Sequence, residues 1–138
     1  MRNSIYWVEI PSKNFERAKK FYETIFNIGM MLVPMTRGKY AIFPLDKDAK
    51  GSGGAIVEGK GYKPAENSTR GPIIYLDREE DLSIPLSKIE IADGKILMPK
   101  RINSEHPETG YIAQFIDSEG NRMGLHSSNN ELKDVEKV

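Results

Sequence analysis

From position 5 to 10 the chain reads IYWVEI, a run of β-branched, aromatic and apolar residues that suits a strand, and Pro11 ends it. In the following NFERAKKFYETIF the apolar residues Phe15, Ala18, Tyr22, Ile25 and Phe26 recur at three- and four-residue steps. That spacing predicts an amphipathic helix capped by Ser12 or Asn14, with Arg17, Lys19, Lys20 and Glu23 on its wet side. Three short strand-like runs follow at 30–35, 39–45 and 53–58, separated by turns at Gly38 and in DKDAKGS. The order is strand, helix, strand, strand, strand. Residues 59–71, GKGYKPAENSTRG, have the Gly-rich polar composition of a linker.

The same order then recurs. PIIYLD at 72–77 is a strand, and Leu82, Leu86 and Ile89 share one side of a second helix. Ser83 is the expected cap of that helix, which places Pro85 in the first turn, and Gly94 is the expected stop. Strands at 95–102, 110–117 and 121–127 complete the second set, with SEG at 118–120 as the last hairpin turn. Matching residues stand in matching order: Pro34 opposite Pro99, Ala41 opposite Ala113, Phe43 opposite Phe115, Gly54 opposite Gly124. The chain therefore reads as a duplicated βαβββ unit. The expected fold is α+β: two tandem modules, 1–58 and 72–128, joined by the 59–71 linker and followed by a charged tail at 129–138. Together they would form a cupped, mostly antiparallel mixed sheet with helices on its outer face.

Composition narrows the chemistry. Twenty basic residues balance twenty acidic ones, which gives no electrostatic reason to expect nucleic acid or a membrane surface as partner. No cysteine is present, so disulfides, a thiolate nucleophile and Cys-based zinc sites are excluded, in keeping with a reducing cytoplasm. The opening MRNSIYWVEIP has no long apolar run of the kind a signal peptide or membrane span needs.

The helix run EIPSKNFERAKKFYETIFNIGM, the linker GKGYKP, the strand GPIIYLD, and the segments DGKILMPK and FIDSEGNRMGLHS together resemble the vicinal oxygen chelate superfamily, the glyoxalase, bleomycin-resistance and extradiol-dioxygenase group. The resemblance spans nearly the whole chain. It implies that function sits inside the cup, and that members commonly pair as homodimers. Its metal-dependent members carry His or Glu on the first and last strand of each module. Carried over position by position, those places fall at Trp7, near Ala55 with Glu58 as the one nearby candidate, among Ile73, Ile74 and Tyr75, and at Gly124. One carboxylate cannot offset the dehydration of a divalent ion, so no metal and no other cofactor is expected.

Strand alternation sends Trp7 and Glu9 to the cup side of the first strand, and Arg122, Gly124 and His126 to the cup side of the last. If Tyr75 points inward on its strand, Ile73 and Asp77 go with it. Glu9 and His126 are the candidate catalytic pair, since a carboxylate can orient an imidazole for acid–base work. The structural alternative has Glu9 bracing Arg122 and His126 bonding a backbone carbonyl. Trp7, Tyr75 and Arg122 are the candidate ligand-binding residues: the two rings either stack on a flat ligand or fill the volume of a lost metal site. His106 sits in a polar loop at the cup mouth, as a lid residue or as a solvated histidine. Two functions follow: a metal-free protein that binds a small organic molecule, or an enzyme of lyase or isomerase type using Glu9 and His126. A metal-dependent lactoylglutathione-lyase-type or dioxygenase activity is disfavoured by the missing ligands.

Overall fold

A computed structural model describes residues 4–36, 38–45 and 52–128. The 129–138 tail and most of the DKDAKGS turn lie outside them. The first module runs β1 (Trp7–Pro11), α1 (Phe15–Phe26), β2 (Met31–Met35), β3 (Gly38–Ile42) and β4 (Gly53–Gly59). The second runs β5 (Ile74–Arg78), α2 (Ser83–Ile89), β6 (Lys95–Ile102), a 3-10 turn (Pro107–Thr109), β7 (Tyr111–Ile116) and β8 (Arg122–Ser127). The strands divide into two four-stranded sheets, ordered β1-β4-β3-β2 and β5-β8-β7-β6. In each, the first strand pairs parallel with the last and the other pairs are antiparallel. The duplicated α+β architecture is thus observed.

Proline placement follows the sheet edges. Pro34 lies on β2 and Pro99 on β6, each the outermost strand of its sheet, where a missing ladder N–H costs least. Pro11 does not end β1 but closes it, because β1 is also an edge and the ladder continues through the Ser12 N–H to the Val57 carbonyl. Ile5 and Tyr6, expected in that strand, precede it and are exposed.

One core serves both sheets. Ile10, Ala41 and Ile56 from the first, and Ala113, Phe115, Met123 and Leu125 from the second, pack with the apolar sides of α1 and α2. Tyr22 of α1 meets Phe43 edge-on at 5.5 Å, while its neighbour Phe21 meets Phe115 at 5.9 Å, so α1 bridges the modules. Asn14 caps α1 as expected, its Oδ1 accepting from the Arg17 N–H at 3.0 Å. Ser83 does not cap α2. Leu82 takes the cap position without a side-chain bond, the Asp81 carboxylate just before it accepts the Ser83 N–H at 2.9 Å, and the helix ends at Ile89, before Gly94.

The turn at 117–121 ties the end of the chain to its beginning. The buried Asp117 carboxylate accepts the Tyr22 hydroxyl at 2.7 Å, the Glu119 and Asn121 N–H groups, and the Asn121 side-chain amide. The Glu119 carboxylate accepts the Lys13 and Asn14 N–H groups at the start of α1 and pairs with Arg17 at 2.7 Å. An anion there also complements the positive helix end.

The two carboxylates titrate in opposite senses. Burial raises the pKa of Asp117 above its ordinary 3.8 despite the hydrogen bonds that oppose it. Burial also pushes Glu119 up, but Arg17, the Asn14 N–H and Ser118 outweigh it and leave the group below its ordinary 4.5. Glu119 therefore contributes stability that is full above its unfolded pKa and lost as pH falls through the folded value, whereas Asp117 favours the folded state at the acid end. Urea denaturation across the acid range checks this: Glu119→Gln should lose less stability on acidification than the unaltered chain, and parallel curves would refute the assignment.

Candidate functional site

Alternation and register fix which side chains leave the core. On β1, Val8 and Ile10 turn toward the helices, so Trp7 and Glu9 point to the helix-free face, the side expected to line the cup and hereafter the outer face, opposite Gly53 and Ala55 of β4. Tyr40 of β3 pairs with Val57 and joins them. On the second sheet Leu76, Met123 and Leu125 turn inward, leaving Tyr75, Asp77, Gly124 and His126 on the outer face with Gln114 of β7.

The outer face of the first sheet gathers aromatic groups around one carboxylate. Glu9 accepts from the Tyr62 hydroxyl at 2.9 Å and from the Trp7 indole N–H at 3.3 Å. Tyr40 joins the network: hydrogen bonding with Tyr62, and then with Glu9, raises its pKa. Trp7 lies over Gly53, where a Cβ would touch its ring at 3.0 Å. Tyr62 comes from the linker, a segment read from sequence only as a connector. Tyr40 carried a usable signal, since it alternates with the inward Ala41.

The second sheet holds a different constellation. The Tyr75 ring rests on Gly124, where a Cβ would run into the ring, and its hydroxyl accepts from the Gln114 amide at 2.7 Å. His126 Nδ1 lies 2.6 Å from Asp77, and Nε2 lies 2.6 Å from the Thr109 carbonyl. Both neighbours are acceptors, so both contacts are hydrogen bonds only when the ring carries both protons. In that state His126 ties β8 to β5 and to the 3-10 turn.

The structure does not bring Glu9 to His126, because each is engaged within its own sheet. Nor does Glu9 brace Arg122: the Arg122 Nε is buried without an acceptor among the described residues. The backbone carbonyl at His126 is present. His106 is exposed, with a 3.4 Å contact to Glu108. Glu58 falls on the opposite side of β4 from Ala55 and so leaves the outer face.

Solved structures share this architecture across almost the whole chain. Glyoxalase I of Zea mays, in its V278E form, superposes with a TM-score of 0.67 at 19% identity over 94% of this chain; this chain spans 48% of the maize one. A glyoxalase/bleomycin resistance protein from Streptomyces sp. CB03234 gives 0.64 at 22% identity, covering 90% of this chain and 100% of that one. The fosfomycin resistance protein FosX from Listeria monocytogenes, solved with Mn(II) and sulfate, gives 0.62 at 15% identity over 92% and 93% of the two chains. This is the vicinal oxygen chelate fold. No family model matches the chain, and no curated protein matches its sequence. At these identities the likeness is one of fold.

Within the vicinal oxygen chelate fold the module-to-module correspondence can be read from pairing. Ala41 pairs with Ile56 and Ala113 with Leu125, so Ala55 is the counterpart of Gly124, and Gly54 that of Met123. The sequence match of Gly54 with Gly124 was off by one residue. Likewise Val8 pairs with Gly54 and Ile74 with Met123, which makes Ile73 the counterpart of Trp7. The four metal positions implied by the resemblance are then Trp7, Ala55, Ile73 and Gly124, and none of those side chains is a metal donor. Among the described residues no three His, Asp or Glu come together as a metal site. Such an ion does not fit these four positions. No helix among the described residues is long and apolar enough to cross a membrane.

Proposed function

We propose that this chain is a metal-independent binding protein for a small organic molecule, and that it takes the cationic group of that molecule on the outer face of its first sheet. The observation that carries this reading is the Trp7–Glu9–Tyr40–Tyr62 cluster. Three electron-rich rings beside one carboxylate suit a cation, through charge attraction and ring-face contact together. The cluster sits on rigid strands, apart from Tyr62, whose linker supplies one wall. Acid–base catalysis by His126 is the weaker reading. Its Nε2 faces the Thr109 carbonyl, so it would have to leave that contact before taking a proton from a substrate.

Titration of the whole chain with benzyltrimethylammonium, and with benzyl alcohol as the uncharged comparison, tests the proposal. The cation should bind and raise the melting temperature. Glu9→Gln should weaken it by about ten-fold, the scale of one lost charge interaction of about 1.4 kcal/mol. Equal affinity for cation and alcohol, or an unchanged cation affinity in Glu9→Gln, would refute it.

A further inference from the structure

We infer that a second site, the groove between β1 and β5, binds an apolar monocarboxylate, with its hydrocarbon chain along the groove and its carboxylate on Arg78. The groove shares no residue with the cluster around Glu9. It follows from the same alternation: where Trp7, Glu9, Tyr75 and Asp77 turn outward, Val8, Ile10, Ile74 and Leu76 turn inward. β1 and β5 are each the free edge of a sheet, and between them lies a cavity of about 640 Å³ floored by Phe26 and Phe43. That volume lies within the range of small-molecule sites. The exposed Ile5 and Leu45 stand at its mouth.

Among the described residues the charged ones lining the groove are Asp77 and Arg78, and the Asp77 carboxylate is held by His126. Arg78 is the group with unspent capacity. Its guanidinium rests on the Phe26 ring at 4.6 Å, and one terminal nitrogen makes long contacts to the Phe26 carbonyl at 3.3 Å and to Glu80 at 3.4 Å. Its Nε is buried and has no acceptor among the described residues. A guanidinium offers paired donors in a fixed fork that matches a carboxylate. A ligand carboxylate would supply the missing acceptor, with Glu80 as the weak competitor it must displace. From Ile74 to Arg78 the wall extends roughly 13 Å, four strand steps of about 3.3 Å, enough for a medium-length chain. Apolar walls ending in one cation select an anion with a hydrocarbon body over a cation or a purely polar anion.

Calorimetric titration of the whole chain with octanoate and with 1-octanol tests this. Octanoate should bind one per chain, and about ten-fold more tightly than the alcohol, as a charge-assisted hydrogen-bond pair implies. Arg78→Gln should bring octanoate down to the alcohol's affinity. Arg78 also packs on Phe26, so a second variant guards against misfolding: Leu45→Asp, at an exposed position on the groove's mouth, should weaken octanoate more than octanol, since both lose an apolar contact and the added carboxylate repels the anion alone. Equal binding of acid and alcohol, octanoate affinity unmoved by both variants, or no binding because a second copy of the chain closes the groove in sedimentation would each overturn the inference.

Discussion

Asp117→Ala is expected to destabilise the chain by about 3 kcal/mol, a large share of the roughly 5–15 kcal/mol that holds a domain of this kind together. The carboxylate is 3% exposed as a residue and serves four donors at once. Two of those are backbone N–H groups of its own turn, one is the Asn121 amide, and one is the hydroxyl of the fully buried Tyr22. Truncation removes every acceptor together and leaves the Tyr22 hydroxyl in an apolar setting, where burial and the Asp117 charge already push its pKa well up. Loss of the turn also frees Glu119 from the start of α1, so the contact between the first helix and the second sheet weakens with it. Equilibrium urea denaturation measures the effect, and a loss under about 1 kcal/mol would mean that water replaces these bonds and the turn is not the tie described. Tyr22→Phe, which removes one donor and leaves no acceptor stranded without alternatives, should cost less.

That expectation separates two roles that the sequence presented as one. The D-S-E-G-N turn, with the N-terminal helix run, is the most specific part of the family resemblance, and its residues hold the modules together while its neighbours Gly124 and His126 lie on the outer face. Much of the fold was legible because alternation and helical spacing are local: Phe15, Ala18, Tyr22, Ile25 and Phe26 recur at helical steps and form the buried side of α1. The repeat was legible for the same reason, down to prolines that only edge strands accept. The candidate site was less so. Alternation gives the face a residue takes within its sheet, not the neighbours it meets, so Glu9 and His126 were paired across sheets when each had a partner nearer at hand. Tyr62 was invisible because a polar linker carries no period. Glu58 and the Gly54–Gly124 match failed by parity: a slip of one residue moves a strand side chain to the other face. Thr109 carried no side-chain signal, since its contribution to His126 is a carbonyl.

Gly110→Ala is expected to cost about 3 kcal/mol, combining backbone strain with steric conflict. Gly110 has a φ of +107°, a conformation that side chains rarely adopt. A Cβ there would also press into the Ser127 carbonyl and approach Ser128 Cα at 3.0 Å, so relieving the conflict means moving the end of β8 or the turn that precedes β7. Neither is free to move. Ser127 pairs with Tyr111 in the ladder, and the Gly110 carbonyl accepts from Asn103 at 3.0 Å. The consequence reaches the outer face, because the Thr109 carbonyl that holds His126 Nε2 belongs to the residue just before the substitution. Two measurements are therefore linked: the urea midpoint should fall, and the nitrogen resonance of His126 Nε2 should shift as its acceptor is withdrawn. A lower midpoint with an unmoved resonance would place the strain wholly in the turn and leave the Thr109 tie intact. An unchanged midpoint would refute the account of Gly110, since an alanine tolerated at that φ and at that approach would mean the backbone there is not as described.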